Sequence, residues 1–139
     1  MEGLKINHAA VWVGVVVLFA LGFVWYDLLF GEQWVEFVGL DMAEIEANPP
    51  GYGLWISNII ASALGMYLLA WLFAGLNITS GSKGAIVGFL IAFVFIFLTT
   101  MINNMYAQRP YGLAWILGGY SMVGYTINGF IIGAWTMKK

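Results

Sequence analysis

Acid–base, nucleophilic and metal chemistry all need particular side chains within reach of one another, and this sequence of 139 residues holds few of them. It has one histidine, no cysteine, seven Asp or Glu and five Lys or Arg. His8 has no second histidine with which to share a metal, and beside Asn7 it reads as a solvated interfacial residue. No Ser has a His and an acid arranged around it. No glycine-rich loop has a phosphate-binding pattern, and no paired carboxylates fall within one apolar stretch. The expectation is therefore a protein that is not an enzyme, with no catalytic, cofactor-binding or metal-binding residues. The absence of cysteine excludes disulfides and thiolate ligands, and a formal net charge of -2 does not suit a nucleic-acid binder.

One constellation stands out. Trp25, Tyr26 and Asp27 close the first apolar stretch, while Asn103, Asn104, Arg109 and Pro110 lie between the last two, at the same expected depth. Arg109 is the only cation on a side that carries Asp27, Glu32, Glu36, Asp41, Glu44 and Glu46. An ion pair with Asp27 would gain from the low dielectric nearby. The cluster Trp25, Tyr26, Asp27, Asn104, Arg109 and Tyr120 is thus a candidate site, either a clamp from loop to bundle or a seat for an anionic headgroup or small ligand. The uncharged polar residues, including Ser57, Asn58, Ser62, Thr99, Tyr120, Tyr125 and Asn128, can bond between helices at about 0.6 kcal/mol each, up to about 1.7. Alternatively they line a small polar pocket or pore.

The elements that hold these residues follow from composition. Hydrophobic residues make up 62% of the chain and charged ones 9%, against roughly a quarter charged in a soluble domain. Mean hydropathy is +0.88. Apolar runs of about 20 residues, bounded by charge, Pro or Gly, predict spans over 8–26, 54–76, 84–102 and 113–137. The fold class is an all-α integral membrane protein, a single domain over 1–139 built as a four-transmembrane-helix bundle. Trp25-Tyr26-Asp27 stands where a signal peptide would show small residues, so the first span is expected to remain in the protein. Trp12, Trp55, Trp71, Tyr111, Trp115 and Trp135 lie near span ends, as aromatic belts do.

Lys5, Lys83, Lys138 and Lys139 fall on one side and Arg109 on the other. The positive-inside rule then puts both termini and the turn over 77–83 in the cytoplasm. The loop over 27–53 is acidic, and Trp34, Phe37 and Val38 at helical spacing predict a short interfacial helix with its aromatics inserted in lipid. Asp41 through Glu44 resembles a capping box that opens one further turn, closed by Asn48-Pro49-Pro50-Gly51. Small residues recur four apart at Ala10/Gly14, Ser57/Ala61/Gly65, Gly84/Gly88/Ala92 and Gly129/Gly133. They predict close helix contacts, within the bundle or between copies, with Gly84, Gly88, Gly129 and Gly133 as the packing residues.

Trp25-Tyr26, Phe30-Gly31 with Trp34, Arg109-Pro110 with Leu113, Gly119-Tyr120 and the closing Gly129, Ile132, Gly133 and Trp135 resemble a known pattern. It is that of the small bacterial membrane family catalogued as domain of unknown function 1761. In that family Ser is more usual at the position of Asp27, followed by Pro. The resemblance implies a four-helix inner-membrane protein with no assigned reaction, and it adds weight to Trp25, Tyr26, Arg109 and Tyr120. The leading expectation is a non-enzymatic subunit, in contact with membrane lipids, that packs as a homo-oligomer or in a larger membrane complex. The alternatives are an oligomeric transporter or channel lined by spans three and four, and a membrane enzyme acting on lipid or quinone through Asp27, His8 or Arg109.

Overall fold

The computed structural model describes residues 4–138, and these are helical apart from turns and a two-residue ladder at the chain ends. Six helices follow in order: α1 (His8–Leu29), α2 (Gly31–Val38), α3 (Met42–Ala47), α4 (Tyr52–Gly75), α5 (Gly81–Tyr106) and α6 (Tyr111–Ala134). Of these α1, α4 and α5 are long and apolar enough to cross a membrane. The helix starts are set by side chains that satisfy first-turn amides. Asn7, Asp41 and Ser80 accept from the backbone N–H of Ala10, Ala43 and Lys83 at 3.2, 3.0 and 3.2 Å.

Helix α6 has 24 residues, as many as α4, yet it is not apolar enough to count with the other three. Glycines, tyrosines and Asn128 dilute it. Its surroundings explain the composition. Leu113, Ala114, Gly118, Gly119, Gly124, Asn128, Gly129, Ile132 and Gly133 are all buried, because α6 faces protein where the other helices face outward. Two kinds of contact hold it. Against α5 the backbones touch: a Cβ on Gly84 would fall on the Gly129 carbonyl oxygen and lie 3.1 Å from the Gly133 Cα, and one on Gly88 would fall on the Tyr125 carbonyl. The predicted packing glycines therefore meet one another, since only hydrogen at Cα permits this approach.

Against α1 the contact is polar and runs the length of both helices. The Asn7 amide donates to the Trp135 carbonyl at 3.1 Å, Asn128 to Gly14 at 3.0 Å, the Tyr120 hydroxyl to Leu18 at 2.7 Å and the Trp25 indole to Ile116 at 2.8 Å. Each rung joins a side chain of one helix to the other's backbone, in antiparallel register. The apolar core lies beside these rungs, where Val11, Val15 and Leu18 of α1 pack on Met66, Leu69, Ala70 and Phe73 of α4.

The predicted fourth span reaches Met137, but α6 stops at Ala134. Strand β1 (Leu4–Lys5) instead pairs antiparallel with β2 (Met137–Lys138), Lys5 opposite Met137. Trp135 has left helical geometry at φ -110° and ψ 63°, and its carbonyl is satisfied across the chain by Asn7. In the acidic loop the predicted short helix is α2, closed by Gly39 in the left-handed region at φ 79°. Its aromatics pack on protein: Trp34 meets Tyr26 edge-on at 6.0 Å, and the Phe37 ring covers Gly112 at the start of α6.

Candidate functional site

The last turns of α1, Val24–Leu29, are π-helical, with the Phe30 N–H reaching back five residues to the Trp25 carbonyl at 2.9 Å. The wide turn turns two neighbouring aromatics inward. Trp25 lies against Gly119, where a Cβ would come within 2.9 Å of the indole, and donates to Ile116. Tyr26 sits against Tyr120, ring centroids 5.4 Å apart. Trp25, Tyr26 and Tyr120 therefore lie together in one cluster.

The rest of the predicted cluster separates from it. Asp27 is exposed and faces a cleft of about 510 Å³ between the end of α1, α2 and α3, together with Glu32, Glu36 and Trp34. Arg109 is exposed in the turn after α5, its backbone N–H on the Asn104 carbonyl at 2.9 Å. Among the described residues neither side chain forms an ion pair, so the expected Asp27–Arg109 pair is absent. An exposed carboxylate and an exposed guanidinium each keep their water, and little is gained by ordering two side chains to meet. Asn104 is 7% exposed, and its side-chain N–H group has no partner among the described residues.

A second opening lies on the inner side of Tyr26. It is a cleft of about 360 Å³ between α1 and the first half of α4, backed by α6 and lined by Phe19, Gly22, Tyr26, Trp55, Asn58 and Tyr120 among others. It exists because α4 packs unevenly. Residues 51–60 are all exposed, while Met66, Leu69, Ala70 and Phe73 further along are buried. The inner face of that first half is polar: the Ser62 hydroxyl donates to the Asn58 side-chain oxygen at 3.3 Å. No charged residue lines the cleft. Such a site can bind through neutral hydrogen bonds and ring contacts, with no group set to exchange a proton at pH 7.

Residues 9–133 match the family described as Protein of unknown function (DUF1761). The chain belongs to that family. It matches no curated protein and no solved structure. For this DUF1761 chain the geometry brings Trp25, Tyr26 and Tyr120 together and leaves Asp27 and Arg109 apart. The sequence alone missed Trp55, Asn58 and Gly22 as neighbours of Tyr26. The signal available for them was Asn58 itself, an amide two turns inside an apolar helix, which lipid does not tolerate without a partner.

Proposed function

We propose that this DUF1761 protein is a non-enzymatic, four-span subunit of a bacterial inner membrane, working as a homo-oligomer or within a larger membrane complex. The observation that carries this reading is the half-helix over 51–60, which no other element of its own chain covers. Within it and just beyond, Ser57 and Ala61 are exposed and lie four residues apart, spacing that lets a partner helix approach closely. The cleft, lined by uncharged groups, offers no acid–base set, which supports a binding or assembly role over a catalytic one. The alternative, in which several copies surround a pathway lined by the polar faces of spans three and four, has less behind it, because the facing sides of α5 and α6 are already closed backbone to backbone.

Four crossings are supported by the terminal ladder. Pairing of Leu4–Lys5 with Met137–Lys138 holds both chain ends at one face, and a chain whose ends share a side crosses an even number of times. Given three strongly apolar helices, α6 is then the fourth crossing, shielded by its neighbours. The cation bias puts that face in the cytoplasm.

The test is assembly in lipid. Native mass spectrometry of the protein in nanodiscs should show a discrete multimer or a copurifying partner, and Ser57→Leu with Ala61→Leu should dissociate it without loss of fold. A monomer that copurifies with nothing would sink the proposal. Orientation is checked by labelling intact cells with an impermeant thiol reagent: Ala47→Cys should react and Ser80→Cys should not.

A further inference from the structure

We infer that the cleft between α1 and the first half of α4 binds a neutral, flat, carbonyl-bearing amphiphile drawn from the membrane, of the isoprenoid quinone class. The shape comes first. A volume of about 360 Å³ is within the usual range of small-molecule sites, roughly 300 to 1,000 Å³, and suits a ring system with the start of a tail. The walls include Phe19, Tyr26, Trp55 and Tyr120, whose faces and edges accept a planar ring in offset or edge-on contact. Gly22 keeps the space open, since a Cβ there would meet only the Tyr120 ring and hydroxyl, at 3.6 Å or more. Residues 51–60 of α4 are exposed along its length, so the tail can leave sideways into lipid.

The polar groups choose the head. The Asn58 side-chain oxygen is occupied by Ser62, which leaves its N–H pair to donate. The Tyr26 hydroxyl has no partner among the described residues, whereas that of Tyr120 is committed to the Leu18 carbonyl. Two free donors and no charge call for neutral acceptors, and quinone carbonyls are such acceptors. A phospholipid phosphate would lose its hydration without meeting a cation, and an acyl chain alone would leave both donors unpaired. This inference does not rest on the oligomeric reading. Ser57 and Ala61 do not line the cleft, and Ser57 lies two residues from Trp55, which is nearly the opposite side of a helix.

The full-length protein in phosphatidylcholine nanodiscs should be titrated with menaquinone carrying a single prenyl unit, reading quenching of tryptophan fluorescence. Trp55 on the wall should give a saturable component above linear partitioning. Asn58→Leu removes one donor on an exposed stretch of helix and should weaken binding about threefold to tenfold, with the melting temperature unchanged. Gly22→Ile should fill the space and remove the saturable component. The same prenylated ring without carbonyls should bind weaker by a similar factor. Quenching that stays linear, or is identical in wild type and Asn58→Leu, would overturn the inference. So would equal binding of the ring lacking carbonyls, or displacement of the quinone by added phosphatidylglycerol, which would give the cleft to phospholipid.

Discussion

The seam between α5 and α6 and the first half of α4 are built from similar-looking apolar helix, yet one is closed to the backbone and the other leaves every residue over 51–60 exposed. At the seam Gly84, Gly88, Gly129 and Gly133 bring main chains into contact, and no side chain fits between. Along 51–60 the side chains include Tyr, Trp, Asn and Ile, and none is buried. The difference shows where this fold is rigid and where it can meet something else. In lipid, close packing supplies the adhesion that the hydrophobic effect does not, so a helix stretch without small residues facing a neighbour is not drawn in.

The largest effect should come from closing the comparison at its rigid end. Gly84→Leu with Gly88→Leu places side chains on the Gly129 and Tyr125 carbonyls, where backbone must move. Overpacking typically costs about 1 to 3 kcal/mol a site, so the double variant should lose most of its folded population. Thermal unfolding in mild detergent checks this, and an unchanged midpoint would mean that the seam is not a contact at all. The equivalent insult on the open side, Ile56→Ala with Ile60→Ala, removes exposed apolar groups and should shift stability by less than about 0.5 kcal/mol.

Between these lie the rungs from α1 to α6. Tyr120→Phe deletes the hydroxyl that donates to Leu18 and keeps the ring against Tyr26, for an expected loss of about 0.6 to 1.7 kcal/mol. Trp25→Phe should cost at least as much, because the indole both donates to Ile116 and covers Gly119. Steric trapping or denaturant unfolding in bicelles would resolve either, and a value near zero for both would show that the rungs are incidental to stability. The smallest effect is expected where the sequence promised most. Asp27→Asn and Arg109→Gln should each be within about 0.5 kcal/mol of wild type and should add in the double variant, since both side chains are exposed. A measurable coupling energy would restore the ion pair.

Helix content and the glycine positions were legible in the sequence because each is a local property, whereas the far ends of two long helices were not: α1 runs to Leu29, three residues past the expected span, and α6 stops at Ala134, three short of it. Asp41 at the start of α3 and the small-residue stripes at Gly84/Gly88 and Gly129/Gly133 are readable from spacing alone. Partner choice was not. Hydropathy scores Ser57, Ala61 and Gly65 as one stripe, but Gly65 faces Tyr125, with a Cβ there 3.2 Å from the hydroxyl, while Ser57 and Ala61 remain exposed. A transfer scale compares water with lipid and assigns the same value whether a residue meets lipid or another helix. The π turn over Val24–Leu29 was equally hidden, because one added residue per turn leaves no compositional mark. It is this turn that sends Trp25 and Tyr26 inward and Asp27 outward, and so it decided which half of the candidate cluster came together.

The rungs between α1 and α6 join the first long helix made to the last. During synthesis α1 would reach the membrane with the Gly14 and Leu18 carbonyls still lacking their outside donors, and α6, the least apolar of the long helices, would emerge after α1 to α5. On the four-span reading proposed above, biogenesis would have a built-in order of dependence: α6, not apolar enough to count with the other three, would be accepted because α1 already presents matching acceptors. A nascent chain stopped at Arg109 should therefore be recognised as unfinished and cleared, although each of its three long helices is apolar enough to stay in the bilayer.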